Sequence, residues 1–429
     1  MQVLEQFKKN KILKIFIITI IIFIITLFTG CTTIDSFRAS FFSKKTLKGD
    51  NIIYIGVYEP ETGDQKQAGK EEIEGIELAN KMYHNIKGKE IRLIKVDSKS
   101  TSSGAKSAIE SLISIKPVAI IGNTGETASL IASKSVKKAK IPTVTPGAKN
   151  LLITEDNDYY FRTCITDSQI GEGLADYAWN KPKIRKFSII YFEGDSTAES
   201  LSNGVKKKLN ELNNNVSPIE LEFELKSSGI KYKQIVKEIK KKSVKGVFMP
   251  VGKDTADLFF KEIEKNKMTD ITFVGTKEWN DPEFIKMMKS HPKIKIAFTA
   301  DSTVNAYKKN SSYITPETQK FIIEYKSLYG HDKVPTDNVA LGYDSYLLIM
   351  NALNTSPSLK GEDVKDALFK TNGYRCATGI FSFDKNGNPL KSVNLATIKN
   401  GKVEPVYTTG APIDADGMIK IKTKKDKVR

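Results

Sequence analysis

Residues 105–144, AKSAIESLISIKPVAIIGNTGETASLIASKSVKKAKIPTV, decide the fold because they alternate two helical patterns with two short apolar runs. In the first helix, apolar side chains recur at i, i+3, i+4, i+7 and i+8, from Ala105 to Ile113. The apolar run 118–121 is typical of a strand buried in a parallel sheet, and residues 127–139 and 141–144 repeat the helix and the strand. This order predicts an α/β protein built on a doubly wound parallel sheet.

The same alternation extends outward from this stretch in both directions. Before it, we predict a strand over 52–57, a helix over 68–85 and a strand over 91–96. After Cys164 a second series begins, with helices over 171–178, 198–212, 232–239 and 254–264 and strands over 187–191, 220–225, 246–249 and 271–274. Two separate series predict two lobes with a crevice between them.

The pattern changes again from residue 298 onward. Helices are predicted over 316–329, 339–353 and 362–371, followed by a hairpin over 380–387 with Asn386-Gly387 as its turn. Residues 411–429 are polar and rich in lysine, and we interpret them as a basic tail.

The N-terminus has the pattern of a targeting segment. Four lysines between residues 8 and 14 precede an apolar run over 15–28, which is shorter than the roughly 20 residues of a membrane span. The small residues before Cys31 resemble the lipobox of bacterial lipoproteins, in which the cysteine becomes the lipidated N-terminus. We therefore predict a signal peptide over 1–30, lipidation of Cys31 and a tether over 31–49, with an uncleaved anchor as the alternative. Either interpretation places the remaining chain outside the cytoplasm, on the outer face of the membrane.

The composition argues against several classes of function. Only 3 Cys and 3 His occur among 429 residues, without a C-x-x-C or H-x-x-x-H spacing, so we expect no metal site. The formal charge is +17, but no aromatic residues interleave the lysine clusters as nucleic-acid binding requires. A basic surface beside anionic lipid or wall polymer is the simpler interpretation. Cys164 and Cys376 are interpreted as packed small hydrophobes, with a disulfide between them as the alternative.

Catalysis is also not expected from this sequence. A doubly wound enzyme needs a nucleophile elbow, a glycine-rich cofactor loop or clustered acids and histidines, and none of these is present. We therefore predict a protein that is not an enzyme and that uses no cofactor.

The place of a ligand follows from the predicted topology. In open parallel sheets, ligands bind beyond the carboxyl ends of strands, where loops meet helix N-termini. This rule selects six loops: 58–63, 122–127, 145–149, 192–197, 250–254 and 275–279. Gly122 and Gly125 bracket a tight turn that opens a helix and aims backbone N–H groups at a carboxylate.

Several runs of the sequence resemble the type I periplasmic binding proteins, and most closely the leucine/isoleucine/valine-binding family of ABC importers. The runs are 53–63 with 74–79, 119–122, 141–146, 160–163, 340–344 and 378–387, and they extend in order over about residues 50–405. The resemblance implies two doubly wound lobes joined by three crossovers, closing on a small solute for delivery to a membrane permease. It places the first lobe at 50–163 and 300–391 and the second at 164–299 and 392–410. The lipobox agrees, because Gram-positive importers tether their binding subunits through lipid.

The resemblance also implies a set of ligand-binding residues, at which this chain departs from the family. Glu126 stands where the first-lobe loop offers a serine, and Gly147-Ala148-Lys149 stands where a Ser/Ala-Ala-Thr turn holds the ligand's α-carboxylate and amine. Lys277 takes the place of the acid that pairs with the ligand's ammonium, with Glu278 one residue further. With Tyr58, Gly125 and Thr127 from the strand-end loops, the predicted ligand-binding set is Tyr58, Gly125, Glu126, Thr127, Gly147, Ala148, Lys149, Thr197, Gly252, Lys253, Lys277 and Glu278.

These departures change the expected ligand. A buried lysine at 277 repels an ammonium group, and Lys149 and Lys277 facing one crevice favour an anionic group, with Glu126 left for a cationic or donor group. The alternative is that both lysines reach the rim and only bias the surface potential. We predict a solute-binding lipoprotein for an amino-acid-like or anionic solute. A ligand-sensing receptor of the same fold, or a member that has lost its ligand, are the alternatives.

Overall fold

The structure, a computed structural model, describes residues 51–300 and 315–409. The predicted signal peptide, Cys31, the tether and the basic tail over 411–429 lie outside these residues. The described helices are α1 Lys66–Met82, α2 Ser102–Ile115, α3 Glu126–Ala139, α4 Asp167–Asn180, α5 Ser196–Leu212, α6 Tyr232–Lys241, α7 Lys253–Lys265, α8 Pro282–Met288, α9 Pro316–Tyr329, α10 Asp337–Thr355 and α11 Gly361–Phe369. Short 3₁₀ turns occur at Leu151–Ile153 and Lys277–Trp279.

The strands alternate with these helices along most of the chain. They are β1 Ile52–Val57, β2 Asn85–Ile86, β3 Lys89–Lys95, β4 Ala119–Ile121, β5 Thr143–Thr145, β6 Tyr160–Arg162, β7 Phe187–Phe192, β8 Ile219–Leu225, β9 Gly246–Phe248, β10 Thr272–Gly275, β11 Lys295–Thr299, β12 Tyr374–Cys376, β13 Gly379–Phe381, β14 Asn394–Lys399 and β15 Lys402–Thr408.

The first sheet has the strand order β2-β3-β1-β4-β5-β6, and all its strands except the edge strand β2 run parallel. Ile55 on β1 contributes to a core that α1, α9, α10 and α11 cover. Ile120 on β4 points to the opposite face and packs against α2 and α3. Burial on both faces is why β1 and β4 carry near-continuous apolar runs.

The second sheet has the order β15-β14-β11-β10-β9-β7-β8. Strands β7 to β11 are parallel, whereas β14 and β15 add an antiparallel edge. One face packs on α6, α7 and α8, and the other on α4 and α5. The predicted doubly wound class is therefore confirmed, with the correction that the sheets are mixed and not purely parallel. Strands β14 and β15 were not predicted, because they follow a crossover between the lobes and not a β-α unit.

The chain passes between the two sheets at their carboxyl edges. β6 ends at Arg162, and α4, which packs on the second sheet, already begins at Asp167. β11 ends the parallel part of the second sheet at Thr299, and the next described helix, α9, packs on the first sheet. A third passage leads from β13 to β14. Because these passages leave from strand ends, the carboxyl edges of both sheets lie on the side of the crevice.

Two predicted local features differ from the structure. The hairpin of β12 and β13 turns at Ala377-Thr378, and Asn386-Gly387 lies in a separate turn closed by an isolated bridge between Phe383 and Pro389. The helix predicted over 171–178 begins earlier, at Asp167, because Thr166 and Gln169 form a capping box. Within the described ranges, no helix combines the length and the apolar character that crossing a membrane requires.

Candidate functional site

The first-lobe side of the crevice is organised around Glu126, the first residue of α3. Its carboxylate accepts the backbone N–H of Lys149 at 2.8 Å through Oε1 and that of Asn150 at 2.7 Å through Oε2. Gly125, the residue before the helix, donates its own N–H to Asn123 Oδ1 at 2.8 Å. Glu126 therefore joins the loop after β4 to the loop after β5 by two hydrogen bonds.

The loop after β5 is shaped by close packing at Gly147. A Cβ atom at this position would lie 2.6 Å from Thr124 Oγ1 and 2.7 Å from Glu72 Oε1, so a larger residue would have to displace these side chains. The next residue, Ala148, is fully buried and donates its N–H to Thr145 Oγ1 at 3.1 Å. A serine or alanine at 147 would therefore require Thr124 and Glu72 to move.

Arg162 fixes the loop after β5 by hydrogen bonds to its backbone. Its guanidinium is fully buried at the end of β6 and donates to the carbonyl oxygens of Ala148 at 3.0 Å and Asn150 at 2.9 Å, and to Thr154 Oγ1 at 3.0 Å. A planar fork with fixed donors is suited to such a role, whereas the point charge of a lysine is not. The loop is therefore fixed on one side by Arg162 and on the other by Glu126.

Two buried carboxyl groups lie beneath the same loops. Glu59 Oε2 accepts the Thr124 N–H at 2.8 Å, whereas Glu59 Oε1 and both oxygens of Glu72 have no well-formed hydrogen bond from the described residues. Burial raises the pKa of Glu59 to about 8 although the Thr124 N–H bond opposes this. Burial and the neighbouring charge of Glu59 raise the pKa of Glu72 as well. Burial therefore favours the neutral forms of both carboxyl groups, and a charge on Glu59 disfavours a second charge on Glu72.

Tyr58 does not line the crevice. Its side chain is fully buried in the core under α2 and α3, and its hydroxyl lies 2.6 Å from that of Tyr160, which donates to the Gly122 carbonyl at 3.0 Å. The prediction of a ligand contact at Tyr58 is therefore wrong for this arrangement, because the Tyr58 side chain points from the end of β1 into the core. Thr127, by contrast, is exposed on the first turn of α3.

The predicted residues of the second lobe lie at the carboxyl edge of its sheet. Thr197 is exposed on the first turn of α5, and Gly252 is exposed at the start of α7 with open space where a Cβ would stand. Lys253 Nζ lies 2.5 Å from Glu283 Oε2. Lys277 and Glu278 are both exposed in a 3₁₀ turn after β10.

Trp279 connects these second-lobe loops to each other. Its indole is fully buried, donates to the Val251 carbonyl at 2.8 Å and stacks on Phe284 at 5.0 Å. Gly275 is required beside it, because a Cβ there would lie 2.5 Å from the indole ring. The loop after β10 is thereby tied to the loop after β9.

One ion pair connects the two sets of crevice residues. Lys149 Nζ lies 3.3 Å from Asp167 Oδ1, and Asp167 is the first residue of α4. The charges of Lys149 and Lys253 are therefore both matched by acids of the protein itself. The expected attraction of an anionic solute by Lys149 is thus weakened. The sequence did not predict this ion pair, because its two residues lie 18 positions apart along the chain.

A polar cluster joins the first and third passages between the lobes. Asp344 is fully buried on α10 and accepts the Ala377 and Thr378 N–H groups at 2.8 Å each. Lys391 Nζ donates to Thr378 Oγ1 at 2.6 Å and to the Thr163 carbonyl at 3.3 Å. Burial raises the pKa of Asp344 to about 6 against the opposing charge of Lys391, and desolvation lowers the pKa of Lys391.

Sequence reasoning missed Glu59, Glu72, Arg162, Asp344 and Lys391 as parts of the site. A local signal exists for two of them, since Glu59 directly follows an apolar strand and Arg162 ends one. The others follow polar or helical stretches in which a charged residue is ordinary. Cys164 and Cys376 are buried free thiols, so the disulfide alternative is not realised in the structure. Among the described residues, no group of His, Cys, Asp and Glu side chains forms a metal site.

Cavities elsewhere in the molecule lie on outer surfaces. One of 650 Å³ lies on the first lobe between the end of α1, α9 and α10, and a smaller one of 390 Å³ adjoins it at α11. Another of 570 Å³ lies between α6 and α7 of the second lobe. None of these three includes a crevice loop.

Comparison with known proteins gives one family and several similar chains. A family model described as periplasmic binding protein matches residues 52–402. An amino acid binding protein of Pseudomonas aeruginosa is 28% identical over 165 residues, which are 37% of this chain and 44% of that protein, so the chain spans less than half the length of this curated relative.

Solved structures share the fold across nearly their whole length. The branched-chain amino acid transporter substrate binding protein LivJ of Streptococcus pneumoniae, in complex with isoleucine, is 24% identical with a TM-score of 0.56, covering 84% of this chain and 99% of that one. A putative branched-chain amino acid ABC transporter protein of Rhodospirillum rubrum is 18% identical with a TM-score of 0.68, covering 83% and 100%.

Proposed function

Because the chain belongs to the periplasmic binding protein family, we propose that it is the extracytoplasmic solute-binding subunit of an ABC importer. A small amino-acid-like or anionic solute would enter the crevice, bridge both lobes and be delivered to a membrane permease. Membership of a family of binding proteins also agrees with the expectation that the chain is not an enzyme. Lipidation of Cys31 would keep the protein on the outer face of the membrane.

The observation that carries this proposal is the arrangement of the two sheets. Their carboxyl edges meet at the passages between the lobes, and the loops that end there are braced, by Arg162 on the first lobe and by Trp279 on the second. Braced loops present their polar groups in fixed positions, which reduces the ordering cost of binding. A solute that touches both sets of loops favours the closed arrangement by the contacts that are absent when the lobes separate.

The same arrangement assigns residue ranges and ligand contacts to each of the two lobes. We take 50–163 with 300–391 as the first lobe and 164–299 with 392–410 as the second. The first-lobe contacts would come from Gly125 to Thr127 and Gly147 to Lys149, and the second-lobe contacts from Thr197, Gly252, Lys253, Lys277 and Glu278. The cluster of Asp344 and Lys391 would support the hinge, because it fixes the first passage against the third.

The proposal is tested by titrating the full-length protein, kept in detergent, with pooled solutes. Isothermal calorimetry against amino acids, short peptides, amides and dicarboxylates should give heat with one pool, and small-angle scattering should show a smaller radius of gyration with its active member. Heat without compaction would contradict the clamshell mechanism. Absence of heat from every pool would favour a member that has lost its ligand.

Anchoring and partner are tested separately. Mass analysis of the N-terminal peptide should find diacylglycerol on Cys31, and Cys31→Ala should release the protein from the membrane fraction. Genes for a permease and an ATPase beside this one agree with transport, whereas a kinase gene in that place would favour the sensing receptor.

A further inference from the structure

An apolar groove on the outer surface of the second lobe lies between α6 and α7, away from the crevice loops. Its lining includes Ile230 and Tyr232, which pack on the core of the second lobe, and the Tyr232 ring meets Phe259 edge-on at 4.8 Å. Leu258 of α7 also lines the groove and is 45% exposed. This α6–α7 groove, of 570 Å³, therefore presents apolar side chains to solvent at a place that solute binding does not use.

Lysines surround the apolar lining of the groove. The lining contains four of them, Lys231, Lys233, Lys261 and Lys265. Lys261 is paired with Asp257 at 2.6 Å, whereas the other three form no ion pair with the described residues. Glu262, the acid among the lining residues, accepts a hydrogen bond from Asn266 at 3.0 Å and does not neutralise a lysine. The groove therefore combines an apolar centre with unmatched positive charge.

Helix α6 extends this positive charge along the surface. Lys233, Lys237 and Lys241 follow one another at intervals of four residues, so they lie on the same side of the helix, and all three are exposed. Within the part of the chain that the structure describes, none of the three has an acidic partner. Like charges at this spacing repel each other and destabilise a helix. An anionic surface outside the protein would relieve that repulsion.

A membrane surface that contains anionic phospholipid matches both properties of the groove. The stems of lysine side chains cover apolar surface while their ammonium groups reach lipid phosphates, and apolar and aromatic side chains enter the boundary of the acyl chains. A polyanion without an apolar part would bind the lysines but leave Leu258 in water. We propose that the α6–α7 groove docks the second lobe on the anionic lipid surface of the membrane that carries the protein.

The docking rests on the proposed attachment to the outer face of the membrane, and it does not depend on solute binding. Residues 32–50 separate Cys31 from Asn51, where the described chain begins. A segment of this length reaches at most roughly 65 Å when it is fully extended. A small domain is about 30 Å across, so this reach allows the second lobe to touch the membrane.

The test uses the full-length protein, reconstituted through its own N-terminal segment into vesicles with brominated acyl chains. One set of vesicles contains phosphatidylcholine alone, and the other contains equal parts of phosphatidylcholine and phosphatidylglycerol. After subtraction of the wild-type emission, the added indole of Leu258→Trp should be quenched in the anionic vesicles and not in the neutral ones, and high salt should reverse the quenching. Ile323→Trp, at a 68% exposed position of α9 in the first lobe, should stay unquenched in both.

Paired substitutions in the Leu258→Trp protein test the lysines. Lys233→Gln together with Lys237→Gln should lower the ratio of docked to undocked protein about tenfold or more in the anionic vesicles, because each lysine near an anionic surface adds to the attraction. Lys106→Gln together with Lys134→Gln removes the same charge from exposed positions of α2 and α3 in the first lobe. This control pair should leave the ratio unchanged.

The outcomes separate lipid docking from the other proposals. Quenching that is equal in both kinds of vesicle, or that the α6 substitutions do not change, would overturn the docking. Binding of soluble polyglycerol phosphate to the groove without quenching in the anionic vesicles would also overturn it, and would assign the lysines to a wall polymer. Calorimetry with the solute pools on the same α6 variant should give the wild-type heat. A protein that docks but gives no heat would contradict the solute-binding function alone.

Discussion

Lys149 and Asp167 form an ion pair of 3.3 Å that spans the first passage between the lobes. Lys149 lies in the loop after β5 of the first sheet, and Asp167 opens α4, which packs on the second sheet. The same lysine offers its backbone N–H to Glu126. A single residue therefore takes part both in the arrangement of the proposed binding loop and in the contact between the lobes.

Removing this ion pair should have a small and salt-dependent effect. The Lys149 side chain is 38% exposed and that of Asp167 16%, so solvent screens the attraction. Lys149→Met should lower the free energy of unfolding by about 0.5–1 kcal/mol at low ionic strength and by less in high salt. Urea unfolding at two salt concentrations measures this difference. Lys140→Met, which breaks the exposed pair with Glu362 inside the first lobe, serves as the control. A loss of stability in Lys149→Met no larger than that in Lys140→Met would contradict a special role for Lys149.

Replacing Arg162 should be far more costly. Arg162→Leu removes three buried hydrogen bonds and leaves the Ala148 carbonyl with only the Cys164 thiol and the Asn150 carbonyl with only the Ile153 N–H as donors. We expect a loss of about 3 kcal/mol or more in the free energy of unfolding, and Arg162→Lys should recover only part of it. Chemical unfolding followed by fluorescence gives both values. Arg375→Leu changes an exposed arginine and should shift stability by less than about 0.5 kcal/mol. An unchanged free energy of unfolding in Arg162→Leu would show that other contacts hold the loop after β5.

The buried pair of Glu59 and Glu72 should make stability depend on pH. Burial raises the pKa of Glu59 to about 8, so the folded protein retains a proton that the unfolded chain releases near pH 4.5. The stabilisation is complete below the unfolded pKa and is lost as the pH rises towards about 8, at roughly 1.4 kcal/mol for each pH unit between the two pKa values. Glu59→Gln keeps the acceptor for Thr124, supplies an N–H towards Glu72 and cannot titrate.

Urea unfolding across this pH range distinguishes the variant from the wild-type protein. Glu59→Gln should show a flatter profile and should be more stable than the wild-type protein near pH 8. Glu110→Gln, on the exposed face of α2, should keep the wild-type profile. Parallel curves for the wild type and Glu59→Gln would rule out a proton held by this pair.

Cys164 and Cys376 should react only when the protein unfolds. Both thiols are buried and free, and burial raises the pKa of each, which suppresses the thiolate that alkylating reagents require. Without reductant, iodoacetamide should label both residues fully in denaturant and scarcely at all in the native state, as read by peptide mass mapping. Recovery of a peptide pair linked through Cys164 and Cys376 would contradict this prediction.

Much of the fold was predictable because its signals are local. The apolar period of 105–113 predicted α2, and the short buried run at 118–121 corresponds to β4. The strand-end rule also selected the loops that hold Gly125, Glu126, Gly147 and Lys149. The antiparallel strands β14 and β15 were missed, since half-exposed strands that close a sheet after a crossover carry no apolar run.

The sequence by itself determined the elements, the two series of strands and the loops at their ends, because hydrophobic periodicity and capping act over a few residues. Tertiary structure alone decided that Glu126 occupies the N–H groups of Lys149 and Asn150, that Glu59 meets Glu72 and that Tyr58 turns inward. These contacts join residues that lie far apart along the chain. Their partners are selected by how helices and strands pack, and packing depends on all the side chains of the core together.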